Sequence, residues 1–245
     1  MGTILRYKEF LRSYKTRGYR LNHLKKFEKM FPVKSSPLLA GIVGDLMGDG
    51  HLQGDPKWRI DFTSKEQSDL KSFENRFKRL FGVGGKIRKC TSNQYSNSFN
   101  LGINCAPVAR ILSKIGVPSG EKVLQNFEIP LWIKSEKECF REFCRQFFTC
   151  EGTIMHEEKR KSPQIRLENW KSESLTRPNK LIEELCFYLE DYFKIRTTVS
   201  SPSAKCCRKD KVITRPTRIY ILGDSVKLFS NEIGFSNWKQ ERLEP

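Results

Sequence analysis

Two acidic residues occupy positions suited to metal chemistry. Asp49-Gly50 follows the apolar stretch Pro37-LLAGIVGDLM-Gly48, and Glu151-Gly152 follows Cys139-FREFCRQFFT and Cys150. Both stretches carry helical spacing of apolar residues, so each acid falls at a helix C-terminus. A glycine there is ordinary, because it supplies the left-handed backbone that a helix cap uses. A carboxylate is not: the negative end of the helix dipole disfavours it by roughly 0.3–1 kcal/mol. A divalent cation reverses that sign and turns the carboxylate and terminal carbonyls into hard oxygen ligands. Gly41, Gly44 and Gly48 leave a bare stripe on the first helix where another backbone can approach. Each costs roughly 1 kcal/mol against Ala, which close contact would offset. The competing reading is a glycine-rich bend at 40–50. Side-by-side packing of the two helices would bring both acids near one pseudo-two-fold axis.

The elements around the acids repeat. After the first helix, Lys57-Trp58-Arg59-Ile60-Asp61-Phe62 alternates as a strand. Ser64, with Gln67 three residues on, predicts an N-cap for a helix through Leu70, Phe73 and Phe77 that stops at Gly82. Two strands near Lys86–Cys90 and Ser98–Ile103 follow, and then a helix with Val108, Ile111, Leu112 and Ile115. The second pass has its strand at Gln164–Glu168, a long helix from about Pro178 to Phe193 and strands near Ile195–Ser200 and Thr217–Leu222. A last helix carries Val226, Phe229 and Ile233. Each copy is αββαββα, giving an α+β chain of two pseudo-symmetric halves. The division expected is a basic extension over 1–36, a first repeat over 37–119, a linker over 120–134 and a second repeat over 135–245.

Composition narrows the partner. The 245 residues carry 45 Lys or Arg against 28 Asp or Glu, a formal net charge of +17. Such an excess favours DNA, RNA or an anionic membrane surface. Hydrophobic residues at 38% exclude a disordered chain, and no apolar run is long enough to span a bilayer. The N-terminus is too charged for a signal peptide, and eight cysteines without a CxxC pair exclude a zinc ribbon. An intracellular protein with reduced thiols is expected. Residues 1–36 hold ten Lys or Arg against Glu9 and Glu28, interrupted by Tyr7, Phe10, Leu24 and Phe27. This predicts one or two basic amphipathic helices ending at Pro32 and Pro37, acting as a phosphate-gripping arm or as a solvated cap.

Leu39-AGIVGDLMGDG-His51 and Phe143-CRQFFTCEG-Thr153 resemble the two signature helices of LAGLIDADG homing endonucleases. Gly116-Val117-Pro118 and Ile129-Pro130-Leu131-Trp132-Ile133 resemble the link between their halves. The likeness covers about residues 37–238. Met47 departs from the motif's first acid, Gln146 replaces a small residue, and Cys150 stands where Ala is common. The resemblance implies that the four strands of each half build a DNA-binding antiparallel β saddle in the major groove. Outward positions Gln53, Lys57, Arg59, Asp61, Lys86, Arg88, Gln94 and Asn100 would then face DNA. In the second half Lys159, Lys161, Gln164, Arg166, Glu168, Arg215, Arg218 and Tyr220 would do so. Arg or Lys suits guanine, and Asn or Gln suits adenine. An antiparallel sheet also has a plain wet face, so about half of these are expected to touch DNA.

By the same resemblance Asp49 and Glu151 bind Mg²⁺ with the carbonyls of Gly48 and Cys150. Mn²⁺ would substitute, and Ca²⁺ would support binding without cleavage. The expected reaction is hydrolysis of both strands of a long target, serving intron homing, by a monomer that needs no partner copy. Lys65 and Lys171 are candidates to stabilise developing charge at the phosphates, against a reading as solvated lysines. His51 and His156 lie near the acids but lack metal-ligand spacing, and the cysteines carry no assignable chemistry. The alternatives are an RNA maturase that acts on intron RNA and a DNA-binding regulator that does not cut. An intein is disfavoured, since nothing before residue 37 resembles a splicing domain and the chain starts with Met.

Overall fold

The computed structural model describes residues 2–14, 18–90, 97–156, 163–175 and 179–243, with side chains of 18–21 outside the description. The chain divides into two compact units, residues 1–120 and 121–245. Among the described residues no helix is long and apolar enough to cross a membrane.

Unit 1 opens with strand β1 (Thr3–Leu5), helix α1 (Tyr7–Leu11), a 3-10 helix (Gly18–Met30) and strand β2 (Val33–Lys34). β1 and β2 pair antiparallel, Leu5 opposite Val33, an interaction too short to leave a periodic pattern in the sequence. The described part of the basic segment therefore holds two helical stretches between two tied strands. Pro37 does not end it but opens the next helix, where a missing N–H costs nothing. That helix, α2 (Pro37–Met47), is capped by Ser36, whose Oγ accepts from the Leu39 N–H at 3.3 Å. Next come β3 (Gly50–Leu52), β4 (Ile60–Ser64), α3 (Gln67–Phe81), β5 (Lys86–Lys89), β6 (Phe99–Ile103) and α4 (Ala106–Lys114). The sheet runs β3-β4-β6-β5, antiparallel throughout.

Two local expectations need correction. Lys57 and Trp58 belong to a turn, not to the strand. The Trp58 N–H closes on the Gly54 carbonyl at 3.0 Å, and its indole Nε1 donates to Asp55 Oδ1 at 3.1 Å. Ser64 is the last residue of β4, and Glu66 occupies the N-cap of α3. The Ser64 hydroxyl still serves the junction, accepting from the Glu66 N–H at 3.1 Å and donating to Asp69 Oδ2 at 3.0 Å. α3 buries Leu70, Phe73, Phe77 and Phe81 in one stripe, with Phe73 stacked on Phe62 at 4.5 Å.

Unit 2 begins with a 3-10 turn (Lys122–Leu124) and the short helix α5 (Leu131–Lys134). It repeats the order with α6 (Lys137–Glu151), β7 (Gly152–Met155), β8 (Gln164–Ser172), α7 (Lys180–Phe193), β9 (Thr197–Ser200), β10 (Cys206–Cys207), β11 (Ile213–Ile221) and α8 (Asp224–Glu232). The sheet runs β7-β8-β11, with β9 and β10 flanking successive parts of β11. This is the first sheet's strand order with its last edge broken in two. Phe140, Phe143, Phe147 and Phe148 of α6 are fully buried, Phe148 lying 5.0 Å from Phe229. Gln146, also buried, donates to Glu142 Oε1 at 2.7 Å and accepts from Ser236 Oγ at 2.9 Å, which satisfies its amide.

Candidate nucleic-acid interface and acidic sites

Each acid stands where a helix turns into the first strand of its sheet. Asp49 follows Gly48, the C-cap of α2, and is exposed; Gly50 opens β3 opposite Phe62. Glu151 is the last residue of α6 and half-buried; Gly152 opens β7 opposite Leu167. Neither glycine is left-handed: Gly152 has φ −77 and Gly50 is not among the positive-φ residues. The glycines are there for space. A Cβ on Gly50 would sit 2.6 Å from Leu46 Cα, and one on Gly152 would sit 2.5 Å from the Phe148 carbonyl oxygen. In both units the chain doubles back over the residue four positions earlier, and backbone there cannot yield cheaply. Gly152→Ala is expected to cost about 1–3 kcal/mol, read as a lower denaturation midpoint with unchanged m-value.

Among the described residues no group of three or more His, Cys, Asp or Glu side chains forms a metal cluster. Each junction instead offers one carboxylate beside backbone carbonyls at a helix end; in unit 2 the Lys239 ammonium donates to the carbonyls of Thr149 at 2.6 Å and Gly152 at 2.8 Å, so a cation already sits at that end. This sparse, all-oxygen donor set fits Mg²⁺, which keeps several waters and takes phosphate oxygens as further ligands. It fits soft metals poorly, and the Cys150 thiol is not required for it.

Lys171 projects from β8 on the side of Ile165 and Leu167. Its Nζ donates to the carbonyls of Lys122 at 2.8 Å and Gln125 at 2.9 Å and lies 3.6 Å from the centre of the Phe127 ring. Burial pushes its pKa down to about 7, the like charge of Lys122 adds to this, and Glu151 acts in the opposite direction. Lys65 is exposed in the bend after β4. The two lysines are not equivalent. From the pairs Gly50–Phe62 and Gly152–Leu167, Lys65 lies three positions on and Lys171 four.

The polar sheet face of unit 1 gathers Gln53, Arg59, Asp61, Lys86, Arg88 and Asn100, with His51 beside Asp61. Asp61 accepts from Gln53 Nε2 at 2.9 Å and pairs with Arg59 Nη2 at 2.7 Å. The guanidinium lies across Gly102, where a Cβ would come within 2.4 Å of Nη2. Asn100 Nδ2 donates to Thr63 Oγ1 at 3.1 Å, while Lys86 and Arg88 are exposed. Lys57 sits at the turn beyond this face.

In unit 2 Arg166 faces Tyr220, and Glu168 accepts from Arg218 Nε at 2.5 Å and from Trp170 Nε1 at 2.6 Å. Gln164 has the same alternation but is 3% exposed, so it does not present its amide to solvent. Arg215 lies on the opposite side, paired with Lys171 across the ladder and bonded to Glu173. A run of alternating residues gives the period of a strand but not its phase, and Pro216 sets the neighbouring position apart. Gln94, Lys159 and Lys161 lie outside the described residues, and His156 is exposed after β7.

The two sheets share a register. Thr63–Asn100 and Glu168–Arg218 occupy the same step beyond the glycine pairs, and Asp61–Gly102 matches Arg166–Tyr220. One frame thus carries a neutral amide–hydroxyl pair in one unit and an ion pair in the other. Sequence reasoning missed Asp45, buried in α2 and paired with Arg76 Nη2 of α3 at 3.1 Å. An acid inside an otherwise apolar helix was the available signal.

No protein-family model matches the chain. The chain is 27% identical over 211 residues to a tRNA-splicing ligase RtcB of Pyrococcus furiosus, covering 80% of this chain and 21% of the ligase. It is 25% identical over 203 residues to a replication factor C small subunit of Methanocaldococcus jannaschii, covering 73% of this chain and 11% of that protein. The chain thus spans only about a fifth of the ligase's length and less of the replication factor's. Among solved structures it is similar to the homing endonuclease I-WcaI bound to its DNA recognition sequence, with TM-score 0.51 and 14% identity over 89% of this chain and 90% of that one. It is similar also to the N-terminal LAGLIDADG domain of DUF199/WhiA, with TM-score 0.52 and 14% identity over 93% and 97%. The fold is the mixed α+β, antiparallel-sheet fold of LAGLIDADG proteins.

Proposed function

We propose that this chain is a sequence-specific DNA endonuclease that makes a divalent-metal-dependent double-strand break, acts as a monomer and serves the spread of the element encoding it. The observation that carries the reading is one acid at the same helix–strand junction in each of two like units. A DNA-binding saddle that no longer cuts needs neither. The relatives add support: proteins as differently named as an RNA ligase and a replication factor each share one stretch with this chain, as a stretch that moves between genes would.

Asp49 and Glu151, with the carbonyls of Gly48 and Cys150, would hold Mg²⁺. When bound, the ion supplies Lewis-acid stabilisation of phosphoryl charge and lowers the pKa of a coordinated water. The residues of the polar sheet faces orient the duplex: Lys86, Arg88 and Arg166 neutralise phosphates or read guanine, and Asn100 reads adenine. Lys171 places a positive charge near Glu151. The matched registers with unlike pairs favour an asymmetric target, each half reading different bases through one frame.

A second reading, a DNA-binding protein that does not cut, fits the same α+β frame, which this chain shares with the LAGLIDADG domain of DUF199/WhiA as well as with I-WcaI. Selection from a random duplex library in Ca²⁺, followed by addition of Mg²⁺ to the enriched sequence, separates the two. A discrete double-strand cut is the expected result. A tightly bound sequence that stays intact in Mg²⁺ and Mn²⁺ overturns the endonuclease.

A further inference from the structure

The described part of the basic segment before α2 is folded rather than trailing. Phe10 and Leu24 are fully buried, and the Phe31 ring lies 5.0 Å from Phe10 and 5.3 Å from Tyr7. With these apolar groups turned inward, Lys8, Arg12, Lys25, Lys29 and Lys34 are left exposed. None of the five forms an ion pair among the described residues, whereas Arg141, Arg208, Arg215 and Arg218 of unit 2 all do. A folded surface with uncompensated like charges repels itself, and a polyanion relieves that repulsion.

Its placement selects the polyanion. Arg110 of α4 is sandwiched between two rings, 4.5 Å over Tyr14 of this segment and 4.3 Å over Trp58 of the turn joining β3 and β4. It also donates to the Ser13 carbonyl at 3.4 Å and pairs with Asp55 Oδ1 of the same turn at 3.5 Å. The basic segment is therefore pinned beside the end of the sheet remote from Asp49. Exposed Lys57 in the turn and Arg12 near Tyr14 carry positive charge across the junction. A duplex lying along the polar face and continuing past that turn meets this surface next.

We propose that the exposed Lys8, Arg12, Lys25, Lys29 and Lys34 form a second phosphate-binding surface that grips duplex DNA flanking the recognised site, with Arg110 fixing its position. The inference rests on the DNA-binding reading above. Exposed lysines contact phosphates and not base edges, so the surface adds affinity without sequence preference.

The test uses the full chain with Lys8→Gln, Lys25→Gln, Lys29→Gln and Lys34→Gln combined; all four are exposed, and an unchanged thermal melt checks the fold. Fluorescence anisotropy follows binding to a short random-sequence duplex and to one about twice as long, between about 50 and 200 mM salt. Each phosphate contact contributes about 0.9 to the slope of log K against log salt. The variant is expected to lose about 3 from that slope on the long duplex, with about 10–100-fold weaker binding at about 100 mM salt, and little on the short one. Equal slopes for wild type and variant on the long duplex overturn the proposal and leave the DNA reading standing. A variant that keeps the duplex but loses single-stranded RNA also overturns it, in favour of an RNA surface. A wild type that binds neither duplex overturns both.

Discussion

Asp49→Asn and Glu151→Gln are each expected to reduce cleavage by about 10³-fold while affinity for the same duplex in Ca²⁺ changes by less than about threefold. Both substitutions keep shape and remove charge. The loss falls on chemistry because each acid stands at a helix end, off the polar sheet face formed by Arg59, Arg88, Arg166 and their neighbours. It is not expected to fall on folding. Removing a negative charge from the negative end of a helix dipole is neutral or stabilising by up to about 1 kcal/mol. Single-turnover cleavage in Mg²⁺, anisotropy in Ca²⁺ and a thermal melt read the three quantities separately. Cleavage within tenfold of wild type in either variant would remove that acid from metal binding.

The proposed cleavage is expected to show a descending limb near pH 7 that Lys171→Arg removes. Burial lowers Lys171 from 10.5 to about 7, and the charge-stabilising role proposed for it requires the ammonium. Activity supported by the ammonium is thus lost as pH rises through that value, whereas arginine stays charged throughout. The same lowering fixes a sign for stability. Between about pH 7 and 10.5 the unfolded chain binds the proton that the folded chain has released, so folding stability rises with pH across that window. Lys171→Met removes this contribution, so its thermal midpoint rises less between pH 7 and 10 than that of wild type. A pH–rate profile with the same descending limb in Lys171→Arg would show that the limb belongs to another group.

The order of helices and strands is legible in the sequence because each long element has its own period and a glycine or proline stop. α3 illustrates this, with Leu70, Phe73 and Phe77 buried and Gly82 left-handed at φ 65 just beyond its end. Phase and junctions are less legible. Ser64 and Gln67 satisfy a capping pattern, yet Ser64 is still paired with Phe99 in the sheet, so the helix starts later. Arg215 and Arg218 are similar in type and close in sequence, but ladder partners put one beside Lys171 and the other beside Glu168. The acids are legible from their repeated setting. The carbonyl cage of Lys171 is not, because Lys122, Gln125 and Phe127 reach it across tertiary space.

The glycines at the two junctions bear on how such a gene would decay. Asp49 and Glu151 are expected to be replaceable with the fold kept, while Gly50 and Gly152 stand against backbone that leaves no room for a side chain. A lineage released from selection for cutting, but still selected for a folded DNA-binding protein, would therefore shed the acids first and keep the glycines. Descendants would be recognised by a glycine following a non-acidic residue at both helix ends. The ratio of acid loss to glycine loss would then measure how long ago cutting ceased to matter.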